Sequence, residues 1–142
     1  MLKGIPSILS PELVKILMEM GHGDEIVLAD AHFPAASHTN CLIRSDGTAI
    51  PELLEAILKL FPLDDYVSAP LILMKVVPGD DVETPIWQVY QKKVGSYSFE
   101  HVERFEFYQR AKQAYAIIAT SEKAQYANLI IKKGVVKEEE LR

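Results

Sequence analysis

The apolar residues of this chain follow two spacings, one typical of helices and the other typical of buried strands. Apolar residues recur at helical spacing in the segments 11–20, 51–61, 86–94 and 105–113. Short apolar runs indicate strands at 25–29, 41–44, 71–74 with an extension towards 77, 101–104, 115–119 and 126–132. Helices that alternate with such strands predict an α/β fold, with a mostly parallel sheet flanked by helices.

Capping and turn residues set the boundaries of the first predicted helix. Ser10 precedes Pro11, which is the pattern of a side-chain cap followed by a proline in the first helical turn. Gly21 is expected to end this helix in a left-handed conformation. Neither a linker nor a repeat interrupts the chain, so we expect one domain over residues 1–142, with a charged tail at 137–142 that frays.

Polar side chains gather at the two ends of the predicted strand at 25–29. His22 lies between two glycines before this strand, and Asp30 follows it directly. Ligands of α/β proteins collect at the carboxyl ends of such strands, and an uncovered imidazole suits acid–base chemistry. We therefore predict that His22 and Asp30 form the core of one site. The alternatives are a structural histidine and an aspartate that caps the loop after it.

Two further groups of residues offer polar contacts. Arg104 suits a clamp for a hydroxyl or a carboxylate, or else a surface salt bridge. The tripeptide Tyr126-Ala127-Asn128 offers a phenol, an amide and backbone groups, unless Tyr126 only packs in the core. A metal site through His22, Asp30 and His32 is a weaker interpretation, because the chain has neither HxH nor HExxH spacing.

The composition excludes several classes of function. The chain has 142 residues, of which 49% are hydrophobic and 25% are charged, and its net charge is −5. An acidic chain does not favour nucleic acid, which binds basic surfaces. No apolar run approaches the ~20 residues of a membrane span, and the first residues lack the pattern of a signal peptide. We therefore expect a cytoplasmic protein that binds neither nucleic acid nor membrane.

Motifs for common cofactors and nucleophiles are absent. The single cysteine, Cys41, has no internal disulfide partner, and there is no CxxC pair for zinc or redox chemistry. Neither GxGxxG, GxxxxGK[ST] nor GxSxG occurs. The remaining chemistry is cofactor-free proton transfer on a small polar molecule.

Three separate motifs carry a resemblance to a known superfamily. EMGHGDEIVLADAHFPA, ERFEFYQRAKQAYAIIAT and YANLIIKKGV occur in this order along the chain. They resemble the fucose mutarotase and ribose pyranase superfamily, over Met1 to about Val135. The resemblance implies a ribose pyranase-like fold, a decamer of two stacked pentameric rings, and interconversion of the α and β anomers of L-fucose without a metal or cofactor.

The resemblance also implies roles for individual residues. The proton-donating histidine falls on His22, and the sugar-binding residues fall on Asp30, Arg104, Tyr126, Ala127 and Asn128. The ribose branch of the superfamily has histidine where this chain has Arg104, which favours the fucose branch. Ala127 replaces the usual glycine, and this is expected either to strain the backbone or to narrow the pocket.

The resulting hypothesis is that His22 protonates the ring oxygen while the other residues hold the sugar. The acceptor of the anomeric proton is open between Tyr126 and a water molecule. Sites are expected near contacts between subunits. Other interpretations are a non-catalytic sugar-binding or sensor module, a ribose pyranase and a metal-dependent isomerase.

Overall fold

Strands and helices alternate along residues 1–142, all of which the computed structural model describes. The strands are β1 (Glu25–Ala29), β2 (Leu42–Ser45), β3 (Leu71–Met74), β4 (Phe99–Val102), β5 (Ala116–Thr120) and β6 (Leu129–Lys132). The α-helices are α1 (Pro11–Glu19), α2 (Ile50–Leu58), α3 (Pro85–Val94) and α4 (Arg104–Gln113). This alternation confirms the predicted α/β class. No helix has the length and apolar content that a membrane span requires.

The strands form one sheet in the order β2-β5-β1-β6-β3-β4. Parallel pairs join β2 to β5, β5 to β1 and β3 to β4. Strand β6 lies antiparallel between β1 and β3, so it alone runs in the reverse direction. The start of β6 therefore lies beside the ends of β1 and β3, at what we call the carboxyl edge of the sheet. The opposite side, where β1 begins and β6 ends, is the amino edge.

Helices cover both faces of the sheet, which explains the continuous apolar runs of its strands. Ile26 and Leu28 of β1 pack in the larger core, together with α1, α2 and α3. Val27 and Ala29 point to the other face and pack in the smaller core, with Phe107 of α4. Because both faces are buried, β1 shows no alternation of polar and apolar residues.

The predicted left-handed cap at Gly21 is wrong. Helix α1 ends at Glu19, and Met20 already has an extended backbone with φ −62° and ψ 138°. The left-handed glycine of this turn is Gly23, with φ +89°. Its N–H donates to the carbonyl of Lys133, at 2.8 Å. The turn is therefore fastened to the end of β6 rather than to α1.

The strand predicted at 101–104 lies two residues earlier in the structure, where β4 runs over Phe99–Val102. The carboxylate of Glu103 then accepts hydrogen bonds from the N–H groups of Phe105 and Glu106 and caps α4. This cap makes Arg104 the first residue of a helix instead of the last residue of a strand.

The other boundaries differ from the predicted ones by up to three residues, as at the start of β6 and the ends of α2 and β3. At the ends of helices and strands, turns and caps satisfy the backbone groups instead of the regular hydrogen-bond ladder. The boundaries therefore shift by a few residues. The tail carries a short 3₁₀ helix at Glu138–Leu141 without a buried residue. Its fraying stays a prediction.

Gly134 provides a test of how tightly β6 is packed at the amino edge. A β-carbon at this position would lie 2.6 Å from the carbonyl oxygen of Leu63 and 2.7 Å from the Cα of Asp64. Because these are backbone atoms, Gly134→Ala should lower the free energy of unfolding by about 1–3 kcal/mol, as overpacking does. Gly21→Ala is the control, since its β-carbon would meet only Asp24, at 3.7 Å. Equal urea midpoints for the two variants would contradict this packing.

Candidate active site

An open cleft of about 710 Å³ lies at the carboxyl edge of the sheet. Its lining includes four of the predicted sugar-binding residues, namely Asp30, Arg104, Tyr126 and Asn128. Asp30 follows β1 and Arg104 begins α4, whereas the other two precede β6. Because β6 runs in the reverse direction, Tyr126 and Asn128 lie at the edge where the parallel strands end.

A hydrogen bond joins Asp30 to Asn128 where β1 ends and β6 begins. The side-chain oxygen of buried Asn128 accepts a hydrogen bond from the N–H of Asp30, at 2.7 Å. The Asp30 carboxylate in turn accepts from the N–H of His32, at 3.0 Å. Burial raises the pKa of Asp30, and the N–H groups of His32 and Phe33 offset this only in part. Asp30 therefore caps its loop and also presents a carboxylate to the cleft.

Tyr126 is held in an unusual backbone conformation. Its φ of +57° makes it the one non-glycine residue with a left-handed backbone. Its carbonyl accepts from the indole N–H of Trp87, at 2.7 Å. Its phenol donates to Asp80, at 2.6 Å, and accepts from the N–H of Val77, at 3.1 Å. Strained residues persist where several contacts fix them, and such sites are often functional. Tyr126 lines the cleft, so the interpretation as simple core packing is wrong.

Ala127 lies beneath the cleft instead of lining it. The residue is fully buried and its methyl group packs in the larger core. Its carbonyl accepts from the hydroxyl of Tyr90, at 2.7 Å. Its φ is not positive, because the left-handed residue is its neighbour Tyr126. The alanine therefore neither strains this backbone nor narrows the cleft, and its side chain makes no contact with the cavity.

Arg104 is exposed and stacked on aromatic rings. Its guanidinium lies 5.5 Å from the ring centre of Phe105 and 5.4 Å from that of Tyr108. Its Nε donates to the Tyr108 hydroxyl, at 3.3 Å. None of the ion pairs of the chain includes Arg104. The alternative of a surface salt bridge is therefore wrong, and most of the N–H groups remain available to a ligand.

His22 lies at the opposite, amino edge of the sheet. Its side chain is 45% exposed, and its Nε2 lies 3.1 Å from Asp64. The ring also packs against Tyr66, with 5.2 Å between ring centres. Strand β1 separates His22 from Asp30 by roughly 16 Å, at the usual rise per residue. Within one chain the predicted His22–Asp30 core of a single site does not form.

Asp64 is a functional candidate that the sequence did not reveal. Its side chain is only 3% exposed and accepts from the N–H of Tyr66, at 3.0 Å. Burial raises the pKa of Asp64, but the Tyr66 N–H and the His22 imidazole outweigh it and hold the pKa below its ordinary value. A carboxylate on Nε2 orients the imidazole and leaves Nδ1 free for proton transfer. In the sequence, Asp64 is one acidic residue after a predicted helix, and nothing in the pattern around it indicates a function.

The residues of a possible metal site do not converge either. The chain contains no group of three or more His, Cys, Asp or Glu side chains that could hold a metal ion. Of the three residues considered for metal, Asp30 and His32 line the cleft, whereas His22 lies at the other edge. The metal-dependent interpretation therefore lacks its ligand set within this chain.

Comparison with known proteins decides the family. Residues 3–136 match the model of the RbsD / FucU transport protein family. This chain belongs to that family. The resemblance predicted from the three sequence motifs is therefore confirmed.

Curated relatives in this family carry mutarotase names. The fucose mutarotase of Homo sapiens is 52% identical over 145 residues, which cover 95% of this chain and 94% of the relative. The L-fucose mutarotase of Haemophilus influenzae (strain 86-028NP) is 57% identical over 140 residues, covering 95% and 97%.

Solved structures agree in fold. The fucose mutarotase of Streptococcus pneumoniae in complex with L-fucose has a TM-score of 0.91 at 54% identity, covering 96% of this chain and 100% of that chain. Bacillus subtilis RbsD complexed with D-ribose has a TM-score of 0.79 at 26% identity, with coverage of 96% and 100%. The RbsD / FucU family thus includes both fucose-bound and ribose-bound members.

The His22–Asp64 contact predicts a pH-dependent stability. Because the pKa of Asp64 is lowered on folding, its carboxylate stabilises the fold above about pH 4, and this stabilisation is lost as pH falls through the lowered pKa. Asp64→Asn should therefore lower the free energy of unfolding by about 1–3 kcal/mol at neutral pH, and by less in acid. Urea denaturation at neutral pH and at a pH below about 4 measures this difference.

Asp65→Asn is the matched control for this measurement. The Asp65 side chain is 46% exposed and pairs only with Lys137, at 3.2 Å, so its loss should matter little at either pH. If Asp64→Asn cost the same stability at neutral and acid pH, the proposed stabilising charge on Asp64 would be refuted.

Proposed function

We propose that this chain is a mutarotase that interconverts the α and β anomers of free L-fucose without a metal or cofactor. The observation that carries the proposal is the cleft of Asp30, Arg104, Tyr126 and Asn128, in a chain 54% identical to a fucose mutarotase in complex with L-fucose. A carboxylate, a guanidinium, a phenol and an amide are the groups that hold sugar hydroxyls.

The cleft can hold a sugar through complementary groups. Asp30 accepts hydrogen bonds from hydroxyls, whereas Arg104 and the amide nitrogen of Asn128 donate to sugar oxygens. Phe33 and the ring of Tyr108 give the cleft an apolar wall. Ala127 is fully buried and does not line the cleft, so we assign it no direct contact with the sugar.

Mutarotation requires two coordinated proton transfers. The anomeric hydroxyl loses its proton while the ring oxygen gains one, and the ring opens to the aldehyde. Rotation about the C1–C2 bond and closure on the other face give the second anomer. A histidine suits the acid role, because its ordinary pKa lies near neutrality and it can act in both directions. We assign this role to His22, oriented by Asp64.

His22 can reach such a sugar only from a second copy of the chain. His22 and the cleft lie on opposite edges of the sheet, so the amino edge of one copy would meet the carboxyl edge of the next. A contact between two different surfaces is heterologous, and repeated heterologous contacts form a ring when the rotation between copies closes. This geometry supports a ring in which neighbouring copies share each site, as in the pentamers that the superfamily resemblance implies.

A decamer of two such rings is the assembly that we propose. The apolar residues Met1, Leu2 and Met18 are exposed beside α1, where they line a largely apolar groove. Exposed apolar patches are typical of contacts between proteins. The proposed location is the cytoplasm, which fits a chain whose one cysteine is a free thiol.

Ribose pyranase activity is the second candidate, since RbsD complexed with D-ribose shares this fold. A non-catalytic sugar-binding module would use the same cleft without needing His22. Saturation-transfer NMR on L-fucose, D-ribose and related sugars compares these functions directly. Binding of L-fucose without exchange above background would favour the module.

His22→Ala tests the catalytic assignment. Loss of a positioned acid–base group should slow the exchange of L-fucose anomers by about 10²-fold or more. Binding should persist, because His22 supplies none of the hydroxyl-binding groups that line the cleft, and the fluorescence of the single tryptophan, Trp87, can follow it. Glu55→Gln, which changes an exposed side chain outside the cleft, is the control. Wild-type exchange by His22→Ala would remove His22 from the mechanism.

A further inference from the structure

Lys133 carries an ammonium group that pairs with no carboxylate. The residue directly follows β6 at the amino edge, and it is partly buried. None of the ion pairs of the chain includes it. Its Nζ instead donates to the backbone carbonyls of Leu17, at 2.7 Å, and of Met20. Because burial of a cation costs free energy unless hydrogen bonds offset it, these two carbonyls explain where the ammonium lies.

The two carbonyls lie at the end of α1, which has no cap of its own there. The last carbonyls of a helix have no partner within the helix and carry partial negative charge. The last turn of α1 contains no basic residue and ends in the acid Glu19, and Met20 is extended instead of left-handed. The ammonium of Lys133 therefore supplies the donors and the positive charge that the end of α1 lacks.

The backbone of the same residue holds the chain on the other side of His22. The carbonyl of Lys133 accepts from the N–H of Gly23, at 2.8 Å, and its N–H donates to the carbonyl of Asp24, at 2.8 Å. Residues before and after His22 are thus bonded to one residue of the sheet. Because the His22 side chain is 45% exposed, the position of its ring depends strongly on the backbone that carries it.

The residues on either side of Lys133 hold the loop of Asp64. The carbonyl of Lys132 accepts from the N–H of Asp64, at 3.0 Å, and the N–H of Gly134 donates to the carbonyl of Pro62, at 2.7 Å. One short segment therefore binds both the turn of the imidazole and the loop of its carboxylate partner. Replacement of the Lys133 side chain removes the ammonium but leaves these backbone bonds in place.

We infer that Lys133 is a positioning residue for His22, whose ammonium fixes the end of α1 so that the imidazole meets the sugar of the neighbouring copy. The inference rests on the proposed mutarotase function. Lys133 does not line the cleft, and its ammonium is directed to α1 instead of the sugar. A displacement of about 1 Å can slow a positioned catalytic group by about 10²-fold. Loss of the ammonium should therefore impair the chemical step.

General loosening of β6 is the competing explanation, because Lys133 also joins α1 to the sheet. The start of β6 carries Tyr126 and Asn128 into the cleft, so a disturbed strand would weaken sugar binding by the same copy. A displaced His22 would instead slow the chemical step and leave binding intact. The Michaelis constant and the turnover number separate the two explanations.

Lys133→Met is the main variant, because methionine keeps an apolar stem and removes the ammonium. We expect kcat for L-fucose anomer exchange to fall at least about tenfold. KM and the Trp87-monitored dissociation constant should change by no more than about twofold. Lys133→Arg keeps a cation with several donors at the end of α1, so its kcat should stay within about threefold of the wild-type value.

Lys93→Met is the matched control. Lys93 is also partly buried, but its ammonium pairs with Glu55, at 3.7 Å, and it does not line the cleft. This variant removes a lysine of similar burial without affecting the end of α1. It should exchange L-fucose anomers at the wild-type rate.

Mixed assemblies show at which edge Lys133→Met acts. Each proposed site combines the amino edge of one copy with the cleft of the next. Together with Asp30→Asn subunits, which have an intact amino edge, Lys133→Met subunits should recover about a quarter of the wild-type rate. Together with His22→Ala subunits, they should exchange no faster than Lys133→Met alone. A variant that had damaged its own cleft would give the opposite pattern.

Several results would overturn the inference. They are wild-type kcat in Lys133→Met, a raised KM with unchanged kcat, and recovery with His22→Ala subunits instead of Asp30→Asn subunits. A folded Lys133→Arg protein with kcat below the stated range would also do so, and this result does not depend on the folding of Lys133→Met. If the wild-type protein itself exchanged no L-fucose anomers, the proposed function would fail instead.

Discussion

The reversed strand β6 is the constraint on which both halves of the site depend. It fills the gap between β1 and β3 and runs against them. Its start carries Tyr126 and Asn128 to the carboxyl edge, where they meet Asp30. Its end delivers the Lys133 carbonyl to the turn after His22, and Gly134 to the backbone beside Asp64. A parallel sixth strand would place each group at the wrong edge.

This arrangement gives the two edges different chemistry. The carboxyl edge offers a fixed set of hydroxyl-binding groups and a phenol whose proton is engaged with Asp80. The amino edge offers an exposed imidazole whose orientation is set by a buried carboxylate, Asp64. His22, the proposed acid, and the cleft thus lie at opposite ends of β1. In the proposed mechanism they can act on one sugar only across a contact between copies, so catalysis would depend on assembly.

The sequence predicted the class of fold and most members of the cleft. Because both faces of the sheet are buried, its strands are continuous apolar runs, and the sequence alone predicts them. The predicted pairing of His22 with Asp30 is wrong within one chain, because two residues that flank one strand lie at opposite edges of the sheet. The apolar residues after Tyr126 predict that the strand includes it, but its backbone is left-handed and its carbonyl is bonded to Trp87, which is distant in the sequence.

Asp64 carries no signal in the sequence, since single acids near turns are common. Its interest comes from its contacts with His22 and Tyr66 in the folded chain.

The most direct test uses the sharing of sites between copies. His22→Ala and Asp30→Asn subunits, each inactive alone, would be co-expressed with two different tags and purified as mixed assemblies. Sharing of sites between copies predicts recovery of about a quarter of the wild-type L-fucose exchange rate, from sites that combine one intact edge of each subunit. Exchange no faster than in the separate variants would contradict it.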